Sequence, residues 1–598
     1  PRLHPHAEGN IAHRYRVRRG DVSRAWADCD LIIEETYHTP PQEHAYLQPE
    51  AGTAYLDEAG RITVHTAGQW AWEDQQQIAH ALNLPPEQVR VVYDAIGGAF
   101  GGREDMSVQI ILALAVYKLQ RMGIRRPVKI IWSREESIIG HCKRHPMTIR
   151  ARWGAKRDGT LVAVETEIIA DAGAYMYTSN KVLGNAVITC TGPYYWPNAR
   201  VDAVAVYTNN LPSGAFRGFG APQAHFVAEN QMNRLAEALG IDPVEIRLKN
   251  LLDDRKPLTV GTTIPGGVNL REVLEKTALA AGWERSEAGW RAPQPQAGGT
   301  TARGTGIALG FKNIGFSFGY QENSWAKVEL RGDADIEEAI LYIGGAEVGQ
   351  GHHTAMAQIA AEVLNIPPER ITLRPSDTAT SQSSGSASAS RLTFIAGNAV
   401  RGAAERALAR WRDEDRPAVA AFTWLAPRTT PFDPQTGHSM PNFAYGYVAQ
   451  AVTLSVDTET GFLTVHRVVC ADDVGKAINP QQIEGQIEGA VAQAHGYAVL
   501  EDFRTAGGEV LTPYFNTYLI PGVYDVPETV ESILVETPHP EGPFGVRGMA
   551  EMPYLPYAPA VVAAVHQATG VWFNELPLTP ERVLRGLGKI GGEEGASA

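Results

Sequence analysis

The sequence contains few cysteines, and they lie far apart. The 598 residues include four, Cys29, Cys142, Cys190 and Cys470, with no Cys-x-x-Cys pair. This spacing excludes a zinc–thiolate site or an iron–sulfur cluster built from this chain alone. Free and mostly buried thiols are typical of a reducing compartment, so we expect a cytoplasmic protein.

Long apolar runs and excess positive charge are also missing. The longest apolar run, around residues 110–116, is far shorter than a membrane span and is soon followed by Lys118. Acidic residues outnumber basic ones by 67 to 53, which gives a net charge of −14. This balance argues against nucleic acids and anionic membranes as partners, and we expect a soluble protein.

The length and the pattern of elements predict a mixed fold. A chain of 598 residues is too long for one hydrophobic core. Residues 451–469 read as a hairpin, whereas residues 222–239 have helical spacing and Gly240 fits the C-terminal stop of that helix. We therefore predict an α/β or α+β architecture with large mixed sheets.

Two long halves are separated by a stretch rich in proline, glycine and alanine. Residues 286–304 read as a linker between a first domain, 1–285, and a second domain, 305–598. The first residues, roughly 40, are expected to be the tail of an upstream domain or a connector.

The two halves also look related. Residues 77–92 resemble residues 358–374, and a Gly-Gln pair precedes each segment, at Gln69 and Gln350. We predict a duplicated unit of strand, glycine turn, helix, Pro-Pro turn and strand, followed by a loop of small residues. Chance similarity of helix ends is the alternative.

Five loops rich in small residues are candidate functional segments. They are residues 96–105, 213–223, 343–353, 376–393 and 542–551. None is a Walker loop or a Gly-x-Gly-x-x-Gly after a strand. Singly, each reads as a turn or a linker, and a metal site at His352 and His353 is disfavoured because adjacent helical residues point in different directions. Together, the loops fit one large polar cofactor bound by backbone N–H groups, Gln amides and hydroxyls.

The motifs in these loops, with one more, resemble a known family. GGAFGGRE, GAFRGFGAPQ, GGAEVGQG, SGSASASRLT, NPQQIEGQIEGA and GVRGMAEMP occur in this order. Together they are similar to the molybdenum-binding (large) subunit of the xanthine dehydrogenase/xanthine oxidase, or molybdenum hydroxylase, family. The resemblance covers nearly the whole chain. It implies that both predicted domains are molybdopterin-binding domains, with the cofactor between them and the catalytic glutamate in the second.

The resemblance also implies how the metal is held. In that family the dithiolene sulfurs of a pterin bind molybdenum, and no protein side chain is a metal ligand. The implied cofactor is molybdenum–molybdopterin, either without a nucleotide or in the cytosine dinucleotide form, with no iron–sulfur or FAD centre in this chain.

Matched residue by residue, Glu551 falls on the family's catalytic glutamate, which acts as a general base beside the metal. The competing interpretation of Glu551 is a buried ion pair with Arg547. The residues implied to surround the metal, the pterin and its phosphate tail are Gln69, Gly98, Ala99, Phe100, Arg217, Gly349, Gln350, Ala389, Ser390, Arg391, Leu392, Thr393 and Gln486.

Four further residues are implied to contact the substrate: Glu104, Asn185, Phe219 and Phe316. The two phenylalanines would sandwich a planar ring, which favours an aromatic heterocycle. Glu104 matches a second glutamate that hydrogen-bonds the ring in purine-oxidising members.

Some positions depart from the family pattern. Asn185 stands where the animal xanthine enzymes have a purine-orienting arginine, which argues against xanthine itself. Gly218 stands where carbon-monoxide-oxidising relatives carry a cysteine, which argues against CO. Ala550 replaces the glycine that usually precedes the catalytic glutamate, a tolerable change.

The leading hypothesis is therefore a subunit that hydroxylates an N-heteroaromatic ring, purine- or nicotinate-like, with water as oxygen source. Aldehyde oxidation by the same chemistry and a non-catalytic cofactor-binding paralogue are the alternatives. The retained Glu104 argues against aldehyde oxidation, and the retained Glu551 argues against a non-catalytic paralogue. The resemblance implies an iron–sulfur (2Fe-2S) subunit and an FAD subunit as partners, in a dimer of heteromers. A separate chain is expected to supply the N-terminal portion that large subunits usually carry.

Overall fold

The computed structural model describes residues 2–591 and has the mixed α/β architecture that the sequence predicts. The strands of the first half are β1 (Ile11–Arg19), β2 (Leu31–Thr39), β3 (Ala51–Leu56), β4 (Ile62–Thr66), β5 (Val89–Tyr93), β6 (Val128–Ile131), β7 (Lys143–Arg144), β8 (Met147–Ala155), β9 (Leu161–Gly173), β10 (Asn198–Tyr207) and β11 (Ser213–Gly214). Its helices are α1 (Val22–Ala25), α2 (Ala71–Leu82), α3 (Gln109–Arg121), α4 (Arg134–Gly140), α5 (Ser179–Thr189), α6 (Ala221–Leu239), α7 (Pro243–Asn250) and α8 (Leu270–Ala280).

The second half repeats this mixture. Its strands are β12 (Glu284–Ser286), β13 (Gly289–Arg291), β14 (Gln296–Gly298), β15 (Thr301–Asn313), β16 (Asn323–Gly332), β17 (Ile336–Ile343), β18 (Ile371–Pro375), β19 (Ala418–Leu425), β20 (Tyr445–Asp457), β21 (Leu463–Asp473), β22 (Thr505–Ala506), β23 (Glu509–Val510) and β24 (Val530–Val535). Its helices are α9 (His352–Leu364), α10 (Leu392–Arg412), α11 (Pro480–His495), α12 (Tyr557–Thr569) and α13 (Pro580–Gly586). Within residues 2–591, no helix is both long enough and apolar enough to cross a bilayer.

Two four-stranded sheets share one topology. Their strand orders are β5–β4–β3–β6 and β18–β17–β16–β19. In both, the central hairpin is antiparallel, the strand after the first helix pairs in parallel with it, and the last strand closes the other edge in antiparallel fashion. The duplicated unit that the sequence predicts is thus confirmed.

The repeat extends into the two five-stranded sheets. The series β2–β8–β9–β10 and β15–β20–β21–β24 both pair antiparallel, antiparallel and then parallel. Each series is followed by a helix, α6 or α12, and an Arg-Gly pair precedes each helix, at Arg217–Gly218 and Arg547–Gly548. The helices contact each other, so the two Arg-Gly turns are brought to the junction of the halves.

Helix α6 begins and ends as the sequence predicts. It starts after Gly220 and stops at Gly240, and both glycines have positive φ, which costs glycine little. The next helix, α7, is capped by Asp242, whose carboxylate accepts a hydrogen bond from the Val244 backbone N–H at 2.8 Å. The hairpin predicted for residues 451–469 is confirmed as β20 and β21.

Residues 286–304, predicted to form a linker, contribute to short paired strands. β13 pairs with β12, β14 pairs with β15, and the side chain of Trp290 in β13 is buried. The division of the chain into two domains at this segment stays a prediction.

A buried polar cluster ties α6 to both halves. The Glu229 carboxylate accepts hydrogen bonds from the Arg247 guanidinium at 2.8 and 3.0 Å and from the Leu309 backbone in β15 at 2.7 Å. Neither charged side chain is exposed. Since a buried charge needs a partner, each charge depends on the other.

Replacing Arg247 by methionine should therefore destabilise the protein, by about 3–5 kcal/mol, because Glu229 is left buried and unpaired. We expect a clearly lower urea midpoint. The control is Lys276→Met, which breaks the half-exposed Lys276–Glu272 pair and should cost less than about 1 kcal/mol. Equal shifts of the two midpoints would contradict the structural role of the buried pair.

Candidate functional site

A cavity of about 590 Å³ lies where the two halves meet. All five loops of small residues line it, together with α5, α9 and α11. Of the site residues proposed from the sequence, all line the cavity except Ala99. Ala99 is fully buried, and its carbonyl accepts a hydrogen bond from the Gly102 backbone, so it supports the loop and does not face the cavity.

Glu551 is held at the cavity wall by three groups from distant parts of the chain. Its Oε1 accepts a hydrogen bond from the Gly218 backbone N–H at 3.0 Å. Its Oε2 accepts one from the Ser390 hydroxyl at 2.9 Å and lies 2.9 Å from the Lys312 ammonium. The Lys312 side chain is not exposed, whereas that of Glu551 keeps 11% of its surface exposed. The carboxylate is thus fixed in orientation and open on one side.

Sequence reasoning missed Lys312, although a signal was present. Lys312 lies near the end of β15, whose last ten residues are all buried. A lysine in such a run must find a buried acceptor, because an unpaired buried ammonium is very costly. That requirement points to a buried carboxylate, but the sequence does not say which one.

The competing interpretation, an ion pair between Glu551 and Arg547, is wrong. The Arg547 guanidinium donates to the backbone carbonyls of Tyr445 at 2.9 Å and Gly266 at 2.6 Å. Its nearest carboxylate is that of Asp473, at 3.8 Å. Arg547 therefore anchors the turn that carries Glu551, and the charge of Glu551 is paired with that of Lys312.

Arg217 performs a similar task in the first half. Its Nε donates to the carbonyl of Ala550 at 2.7 Å, and its Nη atoms donate to the side chains of Gln486 at 3.0 Å and Gln493 at 3.2 Å. Its backbone N–H donates to the carbonyl of Phe100 at 2.8 Å. The buried side chain and the backbone of Arg217 together therefore tie three cavity walls to one another.

The two glutamines of the repeated Gly-Gln pairs bind their own loops. The Gln69 amide donates to the carbonyl of Ala387 at 2.8 Å and accepts from the backbone N–H groups of Gly101 and Arg103, both at 3.1 Å. The Gln350 amide accepts from Val348 N–H at 2.6 Å. Both glutamines line the cavity, and their hydrogen bonds hold the cavity loops in place.

The serine-rich loop is shaped by a buried ion pair. The Arg391 guanidinium lies 2.8 Å from the Glu322 carboxylate and donates to the carbonyls of Ser384 and Ser386 at 2.6 and 3.1 Å. Just before it, Ala389 and Ser390 have φ values of +50° and +52°. Such strained backbone persists where the surroundings enforce it, and it is concentrated at functional sites.

The four proposed substrate residues all line the cavity: Glu104, Asn185, Phe219 and Phe316. The Glu104 carboxylate accepts a hydrogen bond from the Ser386 hydroxyl at 2.9 Å. Burial raises the pKa of Glu104, and the nearby Glu551 charge acts in the same direction. A protonated carboxyl at this position can donate a hydrogen bond.

A cluster of His44, His141 and Cys142 lies outside the cavity lining. Among residues 2–591 it is the group whose side chains come close enough to hold a metal ion. However, the Nε2 of His44 lies 2.7 Å from the carbonyl oxygen of Ala215, and the Nε2 of His141 lies 2.6 Å from that of Gly102. Burial raises the pKa of the Cys142 thiol, which disfavours the thiolate that a metal requires. The histidines thus brace two cavity loops.

Comparison with protein families gives two matches along the chain. Residues 3–251 match a molybdopterin cofactor-binding domain, and residues 276–418 and 408–527 match a second molybdopterin cofactor-binding domain. Together these matches cover most of the sequence and both repeated halves.

Individual relatives have related names. The chain is 33% identical to a probable xanthine dehydrogenase subunit of Bacillus subtilis, over 98% of this chain and 80% of that protein. It is 44% identical to the nicotinate dehydrogenase large molybdopterin subunit of Eubacterium barkeri, over 45% of this chain and 63% of that protein.

Solved structures of oxidoreductases also superpose on this chain. The aldehyde oxidoreductase from Desulfovibrio gigas superposes with a TM-score of 0.89 at 28% identity, over 98% of this chain and 64% of that chain. This chain therefore spans slightly less than two thirds of that oxidoreductase. The quinoline 2-oxidoreductase from Pseudomonas putida, at 23% identity and a TM-score of 0.84, shares the fold. With both halves matched by molybdopterin-binding domains, the chain belongs to the xanthine dehydrogenase/xanthine oxidase family of molybdenum oxidoreductases and corresponds to their molybdenum-binding subunit.

Proposed function

We propose that this chain carries the active site of an enzyme that oxidises an electron-poor carbon of an N-heteroaromatic substrate, purine- or nicotinate-like. Water is the oxygen source, and electrons leave through iron–sulfur and FAD partner subunits. The observation that carries the proposal is the fixed carboxylate of Glu551, open to a cavity that also presents Glu104 and two phenylalanine rings.

The cavity residues fit a molybdopterin cofactor. Gly349 faces open space, so the backbone there is accessible to a bound group. The imidazole of His352, buried at the same wall, has no hydrogen-bond partner on either nitrogen within residues 2–591. Burial holds the pKa of His352 well below its usual range, so the neutral ring has one N–H to donate. A large polar ligand supplies the partner that His352 lacks.

We assign the binding of this cofactor to backbone N–H groups around Gly98 and Phe100 and of residues 389–393, with His352 and Gln486 alongside. When bound, the molybdenum–pterin group supplies the two-electron oxidation and the transfer of oxygen from water. The cofactor can be the nucleotide-free or the cytosine dinucleotide form.

The role of Glu551 is to accept a proton. Each carboxylate oxygen can accept more than one hydrogen bond, so the contacts with Gly218, Ser390 and Lys312 leave room for a proton donor in the cavity. The positive charge of Lys312 balances the carboxylate. The fixed orientation means that little reorganisation is needed when the proton moves.

Glu104 and the phenylalanines orient the substrate. Burial raises the pKa of Glu104, and in its protonated form the carboxyl can donate to a ring nitrogen or carbonyl oxygen. Phe219 and Phe316 provide apolar faces for a planar ring.

Aldehyde oxidation is the second candidate, favoured by the similarity to the aldehyde oxidoreductase structure. Aldehyde oxidation, however, gives no role to a polar residue such as Glu104 beside the substrate.

The first test is elemental analysis of the purified, co-expressed complex, followed by anaerobic reduction with purines, pyridines and aldehydes. We expect about one molybdenum per chain and rapid bleaching of the partner cofactors by a heterocycle. Analysis of the released nucleotide distinguishes the two cofactor forms. Bleaching by aldehydes alone would favour the second candidate, and a complex without molybdenum would contradict both.

Replacing Glu551 by glutamine keeps the shape of the side chain and removes the base. Turnover should fall by at least about a hundredfold, with molybdenum content unchanged. Near-normal turnover of this variant would show that Glu551 is not the base.

Replacing Lys312 by methionine removes the charge partner of Glu551. We expect turnover to fall about tenfold or more, because the carboxylate loses both its orientation and its balancing charge. Lys312→Arg should restore part of the activity. The control is Lys129→Met, which changes an exposed strand lysine and should leave turnover unaltered. Equal turnover of the Lys312→Met and wild-type enzymes, at equal molybdenum content, would rule out this positioning role.

A further inference from the structure

The basic side chains around the cavity are not equivalent. Arg217, Arg391 and Arg547 line it, but each guanidinium is engaged by backbone carbonyls or side chains, as described above. Lys181 lines it as well, and its ammonium makes no hydrogen bond or ion pair with any residue between 2 and 591. Lys181 therefore carries the cavity charge that is left free for a ligand.

Lys181 lies near one of the aromatic residues that line the cavity. Its Nζ is 5.6 Å from the centroid of the Phe316 ring, one of the two rings proposed to contact the substrate. Its charge also acts on Glu104, which lines the same cavity. A ligand ring placed against Phe316 thus brings its substituents near the ammonium.

A second unpartnered group lies one helical turn further along. Lys181 and Asn185 are four residues apart on α5, which puts them on one helix face, and both line the cavity. Asn185 is 2% exposed, and its side-chain amide makes no hydrogen bond with the described residues. The buried atom without a partner is the acceptor Oδ1, whereas the Nδ2 has no acceptor among the described residues and is left to donate to a ligand.

The charges around Lys181 favour an anion. Glu551 is paired with Lys312, and burial raises the pKa of Glu104, although the Lys181 charge acts to lower it. Lys181 itself forms no ion pair with the described residues. A carboxylate is a planar acceptor that can bind an ammonium and an amide N–H together. It also leaves the ring free to lie against an aromatic side chain.

We propose that Lys181, with Asn185, selects substrates whose aromatic heterocycle bears a carboxylate. This inference rests on the proposed function, since it names the substrate class of the same cavity. It makes Lys181 a specificity-determining residue and has no part in the proton transfer assigned to Glu551.

The test compares matched ligands on the cofactor-loaded complex. A pyridine carboxylate and its carboxamide, and a quinoline carboxylate and its carboxamide, have the same rings with and without the charge. Dissociation constants are measured by calorimetry and kcat/KM by turnover, for wild type, Lys181→Met, Lys181→Arg and the control Lys118→Met, which removes an exposed helix lysine outside the cavity lining.

We expect wild type to prefer the carboxylate of at least one pair. Lys181→Met should weaken binding of that carboxylate about tenfold and change binding of the carboxamide less than about twofold, as loss of one charge-assisted hydrogen bond requires. Lys181→Arg and Lys118→Met should stay near wild type. Added salt should weaken binding of the carboxylate only.

A wild-type preference for the carboxamides, no binding of any of the four compounds, or equal losses for charged and neutral ligands in Lys181→Met would overturn the proposal. Failure of the proposed function gives a different pattern. In that case the carboxylate still binds in a Lys181-dependent way, but no heterocycle is oxidised.

Discussion

The organisation of the site depends on how the carboxylate of Glu551 is held. Its three partners are the backbone of Gly218 before α6, Lys312 in β15 and Ser390 before α10. They come from both halves of the chain, so the carboxylate is oriented only when the halves are joined. The approach is close enough that a side chain at Gly548 would place its Cβ 1.8 Å from the carbonyl of Ser390. Glycine at that position is what lets the turn carrying Glu551 reach its partners.

Duplication explains where the site forms. Each half places an Arg-Gly turn before a helix, and the helices α6 and α12 contact each other. The two arginines have kept one kind of task, since both bind backbone carbonyls: Arg217 that of Ala550, and Arg547 that of Tyr445. The residues after them have diverged, and the carboxylate occurs in one copy alone. The site is therefore an asymmetric product of a nearly symmetric scaffold.

The cavity walls violate local preferences that the rest of the fold obeys. Phe100, Phe219, Ala389 and Ser390 have positive φ, which costs about 1–3 kcal/mol each in side-chain-bearing residues. His352 and Asn185 leave buried polar atoms without partners among the described residues. Both features are typical of surfaces shaped for a ligand, where local stability is sacrificed for a defined arrangement of donors. The extensive core shared by the halves can tolerate this cost.

The sequence by itself determined the mixed fold, the internal repeat and the family, and it named residues that, apart from Ala99, all line the cavity. Glycine loops, helix caps and alternating strands are local patterns, and six ordered motifs restrict the family strongly. Only the tertiary structure decided which charged side chains form ion pairs with one another. Arg547 is close to Glu551 in sequence and was a reasonable partner, but Lys312, far away in the chain, is the one that meets it. Likewise Lys181 became distinctive only once the arginines around it proved to be engaged. Long-range pairing depends on how sheets and helices assemble, and no short pattern in the sequence records that assembly.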